Sequence, residues 1–238
     1  MRLRRPLRHR SSRRELLDAD ELEPGALAAN LRDLARLNRL PGGTRASIAA
    51  IRRLAGDDGP LTILDAGTGA ADMPLAFERE GRRRGGWQVL ALERHPTILA
   101  HAQRRVARRP GVTLLKGEAC RLPLADDSVD VAHASLLIHH LEPADARRAL
   151  AEMARVARRG VVVNDLRRGL LPLALTATVA LTLGRAAYTR HDGIVSALRA
   201  YRLDELDELL GDADLRVVWR SPAILPRVVT AAVRRRPA

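Results

Sequence analysis

The chain has 238 residues, 46% of them hydrophobic and only 2% aromatic, and 41 basic against 28 acidic residues give it a formal charge of +13. That length suits one sizeable domain, with leucine, valine and alanine filling its core in place of aromatic rings. No stretch reaches the roughly 18 apolar residues of a membrane span, and the single cysteine, Cys120, excludes an intramolecular disulfide.

Residues 1–20 are arginine-rich, lack the apolar core of a secretory signal, and are expected to form a flexible basic tail. All basic residues except Lys116 are arginine. The basic runs at Met1–Arg14, Arg82–Arg84 and Arg234–Arg236 lack aromatic neighbours that would stack on bases, which favours solvated faces over a nucleic-acid surface. After Pro24-Gly25, Leu27, Leu31, Leu34 and Leu37 recur at helical spacing. Pro41-Gly42-Gly43 ends that helix, and Thr44 opens another that reaches about Leu54.

Residues 61–72, LTILDAGTGAAD, come next. An apolar run ends on Asp65, Gly67-Thr68-Gly69 form a side-chain-poor turn, and a helical pattern begins at Ala70. Side chains at that turn would block close approach of a nucleotide-sized ligand to the strand end. Trp87–Glu93 reads as a second strand whose terminal carboxylate can accept two hydrogen bonds from a ribose diol. Val112–Leu115 is a short third strand leading into Gly117-Glu118-Ala119 and Arg121-Leu122-Pro123-Leu124. Asp126–Asp130 forms a turn feeding a buried fourth strand that ends at Ser135. Glu142–Ala157 reads as a helix with Pro143 in its first turn, and Gly160–Asp165 as a fifth strand. The apolar stretch Leu170–Leu183, interrupted by Pro172, is expected to fold as a helix over the sheet's carboxyl edge. A polar turn, YTRHDG, follows at 188–193. Asp204–Leu210 suggests the last helix, and Leu215–Trp219 with Leu225–Ala232 a closing hairpin.

These motifs in this order resemble the class I S-adenosylmethionine-dependent methyltransferases, in particular the branch of ubiquinone and menaquinone C-methyltransferases. The segment GEACRLPLADDSVDVAHASLLIHHLE (117–142) is similar to that branch's Gly-Asp-Ala, Leu-Pro-Phe, Asp-x-Ser-Phe-Asp and Leu-His-His-Leu pattern, and the resemblance runs from about Leu61 to Asp165. It implies an α/β fold with a Rossmann-like, seven-stranded, mostly parallel sheet and helices on both faces. It further implies an N-terminal helical lid (21–58), a methyltransferase domain (59–238) and a helical insertion after strand five (about 168–200).

The implied cofactor is S-adenosylmethionine. By resemblance, Asp65, Gly67, Thr68 and Gly69 hold its methionine end, and Glu93, followed by Arg94, holds the ribose. Glu118 and Ala119 lie beside the adenine, with Glu118 in place of the commoner Asp, and Ser135 lies near the methionine or the reacting methyl. Asn38 and Arg45, from the lid, are within reach of the cofactor carboxylate. The family's third glycine is Ala71 here, expected to sit at a helix start with a small shift. A nicotinamide site is disfavoured because Asp72 stands where its third glycine belongs.

Methyl transfer is an in-line displacement, so the protein must chiefly position the acceptor and exclude water, with a base assisting an oxygen or carbon nucleophile. Candidates at the carboxyl edge are His139, His140, Asp165, Tyr188 and His191. No metal site is expected, since no His/Cys/carboxylate cluster has metal-ligand spacing, and Cys120 falls in the cofactor-side loop rather than at a nucleophile's place. The expected function is a cytoplasmic methyltransferase acting on oxygen or carbon of a small, fairly apolar acceptor, aromatic, polyketide-like or quinone-like. A homodimer is left open. The alternatives are an RNA methyltransferase using the arginine tail and a non-catalytic cofactor-binding subunit.

Overall fold

Five parallel strands set the frame: β1 (Leu61–Ala66), β2 (Trp87–Glu93), β3 (Val112–Lys116), β4 (Val129–Ser135) and β5 (Ala157–Leu166). A hairpin of β6 (Leu215–Arg220) and β7 (Arg227–Arg234) completes the sheet, with β7 antiparallel to both β5 and β6. The strand order is β3-β2-β1-β4-β5-β7-β6, so the winding direction reverses between β1 and β4. Ligands of open α/β sheets bind outside the strand ends at such a reversal. This computed structural model describes residues 7–19, 21, 23–40, 43–57, 59–222 and 226–235. The first part of the basic run, the Pro41-Gly42 stop, Leu225 and Arg236 lie outside the described residues.

Among the described residues eight α-helices surround the sheet: α1 (Pro24–Leu37), α2 (Thr44–Ala55), α3 (Asp72–Gly81), α4 (Pro96–Val106), α5 (Pro143–Val156), α6 (Leu170–Leu183), α7 (Ala187–Arg199) and α8 (Leu203–Asp212). The central strands are buried on both faces, as β4 shows with a nearly unbroken buried run. One face packs Leu150 and Met153 of α5 and Leu206 and Leu210 of α8 against Leu64, Ala132 and Val161. The other packs Ile51 of α2, Phe77 of α3 and Val106 of α4 against Ile63, Val131 and Val162. Among the described residues no helix is long and apolar enough to cross a membrane.

Three expectations are corrected. The segment YTRHDG is no turn but lies inside α7, because Asp33 of α1 accepts the N–H groups of Arg185 (2.6 Å) and Ala186 (2.8 Å) at the start of that helix. Tertiary capping here outweighs the local polarity. Second, the tail is docked over its described part. Ser11 N–H donates to Leu198 O (3.1 Å), and Arg10 donates to the carbonyls of Arg199, His139 and Leu141 (2.6, 2.6 and 2.7 Å). Asp192 accepts the N–H groups of Leu16 (2.9 Å) and Leu17 (3.1 Å). Third, α2 belongs to the flank of the sheet rather than to a covering layer, its Ala50 and Ile51 packing with Val229 and Ala231 of β7.

Leu150 is fully buried where α5 meets the sheet. Leu150→Ala is therefore expected to cost about 2–5 kcal/mol in denaturant unfolding.

Candidate active site

The site is built on a chain of buried polar groups beneath the carboxyl ends of the strands. Asp65, at the end of β1, accepts the Thr68 hydroxyl through Oδ2 at 2.7 Å and pairs through Oδ1 with His133 Nδ1 on β4 at 2.6 Å. A carboxylate can only accept, so His133 carries its proton on Nδ1. Nε2 of His133 then meets Ser47 Oγ of α2 at 2.9 Å, and Asn164 Nδ2 of β5 donates to the same oxygen at 2.8 Å. The Asn164 side-chain oxygen accepts Arg227 Nε of β7 (3.1 Å). The same guanidinium donates to Asn38 Oδ1 (2.7 Å) and Ser135 Oγ (2.8 Å). Burial pushes the Arg227 guanidinium down to about 10, with Asp165 opposing that effect.

The turn after β1 sits on this chain. Gly67 and Gly69 both have left-handed backbones, φ 68° and 55°. A Cβ on Gly67 would lie 2.8 Å from Leu137 Cδ1, whereas one on Gly69 would meet nothing within 4 Å and point into open space. Glu93, at the end of β2, accepts Gly69 N–H through Oε2 (3.0 Å) and His95 N–H through Oε1 (2.9 Å). Each oxygen keeps a lone pair for a ligand hydroxyl. Ala71 stands at the helix start, as the left-handed N-cap of α3, with φ 60°. That conformation costs an L-residue about 1–2 kcal/mol. The buried methyl (about 0.8 kcal/mol) and the smaller unfolded-state entropy of alanine (about 0.4–1 kcal/mol) offset it. Alanine therefore serves where glycine is usual.

A cavity of about 850 Å³ opens above this edge. Its wall includes Asp65, Gly67–Gly69, Glu93, Arg94, Glu118, Ala119 and Ser135, together with Asn38. His139 and His140 also line it, in the short turn after β4, with Asp165 buried behind His139. Arg45, Tyr188 and His191 are not on the wall. His191 stands on α7 with its side chain 43% exposed, paired with Asp192 at 2.8 Å.

The histidines belong to an ion-pair cluster that the sequence did not reveal. His139 Nδ1 pairs with Asp165 Oδ1, and its Nε2 lies 3.4 Å from Glu15 Oε1. His140 Nδ1 lies 2.8 Å from Asp18 Oδ1, and its Nε2 lies 3.6 Å from Glu15 Oε2. Arg199 donates to the carbonyls of His139 (3.3 Å) and His140 (2.6 Å) and to Asp18 Oδ2 (3.1 Å). Burial would lower His139, but Asp165 and Glu15 outweigh it and push the imidazole up to about 10. Burial would likewise raise Asp18, yet His140 and Arg199 bring it down to about 2. Glu15 and Asp18 were missed because they fall in a segment that reads as an arginine-rich tail, and Arg199 and Arg227 because buried arginines carry no local signature.

Residues 63–160 match the family model described as a methyltransferase domain. The fold superposes with TM-score 0.63 on an S-adenosylmethionine-dependent methyltransferase from Aquifex aeolicus, at 21% identity, covering 89% of this chain and 98% of that one. Residues 63–160 form a methyltransferase domain, on the fold of the S-adenosylmethionine-dependent enzymes. A magnesium protoporphyrin IX methyltransferase from Synechocystis, solved with bound S-adenosylmethionine, has the same fold at TM-score 0.54 and 14% identity, covering 82% of this chain and 80% of that one. Among curated proteins, the demethylmenaquinone methyltransferase of Thermobifida fusca is 33% identical over 118 residues, 49% of this chain and 45% of that protein. The malonyl-[acyl-carrier protein] O-methyltransferase of Xylella fastidiosa is 33% identical over 87 residues, 37% of this chain and 28% of that protein. These matches thus span less than half of either relative.

The methyltransferase domain presents a cradle that suits its family's cofactor. The open face of Gly69 leaves room for close approach, and Glu93 stands at the tip of the neighbouring strand with acceptor capacity to spare. Gly67→Val would combine left-handed strain with displacement of Leu137. It is expected to cost about 2–5 kcal/mol of unfolding free energy, read by denaturant titration.

Proposed function

We propose that this chain transfers the methyl group of S-adenosylmethionine to an oxygen or carbon of a small, fairly apolar acceptor, aromatic, polyketide-like or quinone-like. One observation carries the reading: one cavity is lined by the glycine turn, by Glu93 and by His139 and His140. Its wall also carries aliphatic side chains, among them Leu17, Leu31, Leu34, Leu137 and Val179. The cofactor supplies an electrophilic methyl on a sulfonium; the remaining work is positioning, exclusion of water and proton handling by the protein.

In this reading the Gly67–Gly69 turn admits the methionine end, Glu93 takes the ribose hydroxyls, and Glu118 with Ala119 flanks the adenine. Arg227 and Asn38 take the cofactor carboxylate. Arg227 suits that task because it is buried and, among the described residues, its hydrogen bonds go to the neutral oxygens of Asn38, Asn164 and Ser135. Such a cation gains from an anionic ligand more than a solvated one does. Helices α1 and α6 serve as the cover of the cavity. His139 and His140 face the acceptor, and Asp165 acts through His139 as a positioning residue. The name of the Thermobifida fusca relative favours a quinone-like acceptor. The internal use of Arg10, which donates to three backbone carbonyls and to Glu142, favours a small molecule over RNA as substrate.

The direct experiment is turnover with a panel of phenolic and quinone-like acceptors, in which S-adenosylhomocysteine should accumulate only when acceptor is present. Glu93→Ala should weaken S-adenosylmethionine binding by about 1–3 kcal/mol in calorimetry, and unchanged affinity would remove Glu93 from the ribose. Arg227→Met should lower affinity for S-adenosylmethionine about tenfold or more while leaving adenosine binding in place. Equal losses for both ligands would point to a collapsed pocket instead.

A further inference from the structure

Glu15, His139 and His140 offer ligand atoms that all lie within 4.8 Å of one another. The expectation that no such cluster forms is corrected, since Glu15 reaches the histidines only through the docking of the N-terminal segment. Both imidazoles have their Nδ1 atoms committed to carboxylates, His139 to Asp165 and His140 to Asp18. Both Nε2 atoms therefore turn inward onto Glu15. A carboxylate behind each ring is the arrangement that orients a metal-binding imidazole and raises its basicity.

The distances fit ligation better than hydrogen bonding. Glu15 Oε1 and Oε2 stand 3.4 and 3.6 Å from the two Nε2 atoms. Those separations are long for hydrogen bonds. Donors about 2.0–2.1 Å from a tetrahedral ion are themselves about 3.3–3.4 Å apart. Glu15 Oε1 is buried with no hydrogen-bond partner among the described residues, and the Glu15 side chain is only 4% exposed. Charge points the same way. Three carboxylates, Asp165, Asp18 and Glu15, gather around the two rings, with Arg199 paired to Asp18.

We propose that Glu15, His139 and His140 bind one divalent first-row transition ion through the Glu15 carboxylate and the two Nε2 atoms. Two imidazoles and one carboxylate are the donor set of zinc and related ions in sites that keep a position for substrate. All three residues line the cavity, so that position faces the space beside the cofactor turn. An acceptor with a phenolate, enolate or quinone oxygen is the ligand it suits, and the ion would hold that oxygen ionised near neutral pH. This role for the ion rests on the methyl-transfer reading; the ion's binding does not.

The test uses full-length protein purified without a polyhistidine tag, stripped with chelator and titrated calorimetrically with Zn²⁺ in the absence of acceptor. One ion per chain is expected, and Asp18→Asn should weaken it about 10- to 100-fold by freeing the His140 ring. Glu15→Gln and His140→Ala should reduce binding further, each variant being checked for a cooperative thermal melt. The proposal is overturned if the unaltered protein takes up no zinc. It is equally overturned if folded Glu15→Gln and His140→Ala bind zinc as the unaltered protein does. In either case protonated His139 and the neighbouring guanidiniums, not a metal, balance the carboxylates. Zinc uptake without any acceptor turnover would keep the ion site and reject the methyl-transfer reading, so the two failures are distinguishable.

Discussion

The buried carboxylate of Asp65 is the constraint on which the rest of the site depends. An unpaired carboxylate at that depth would cost several kcal/mol, so its two partners are fixed by necessity. Thr68 ties it to the glycine turn, and His133 ties it to the neighbouring strand. From His133 the chain of hydrogen bonds runs on through Ser47, Asn164 and Arg227 to Asn38 and Ser135. It joins β1, β4, β5 and β7 to α2 and to the end of α1, and so holds the floor of the cavity in one arrangement. Fully satisfied networks of this kind rigidify the groups they connect, which is what a cofactor turn requires.

A second set of polar groups closes the opposite wall, and here the arginine-rich composition has a structural use. Arg10 and Arg199 both donate to carbonyls of the short turn that carries the histidines, groups that a turn of that length leaves without helical partners. Arg168, with a fully buried side chain, joins Leu7 O, Ala200 O and Glu205. In a chain with so few aromatic residues, long planar guanidiniums serve as internal cross-links between segments far apart in sequence. The formal charge of +13 therefore overstates how much positive surface the molecule presents.

The fold was legible because its signals are local. Apolar runs of strand length, each ending at a polar tip, gave the first five strands in order, and Gly67-Thr68-Gly69 marked the turn that a ligand must approach. Glu93, Glu118 and Ser135 could be placed because each sits at a fixed offset from a strand end. What could not be read arises from contacts between distant segments. Nothing near residue 190 predicts that Asp33 will cap the start of α7, and nothing near residue 15 predicts that Glu15 will face two histidines. The left-handed backbone of Ala71 was hidden for a different reason: it is dictated by the turn, while the residue type carries no sign of it.

The most direct test of the account is a crystal structure of the protein with S-adenosylhomocysteine. The account places the adenine against Glu118 and Ala119, both ribose hydroxyls on Glu93, and the amino-acid carboxylate toward Arg227 and Asn38. The sulfur would then face the space that ends at His139 and His140. Ligand density elsewhere on the molecule, or a ribose remote from Glu93 with the sulfur turned away from the histidines, would contradict it.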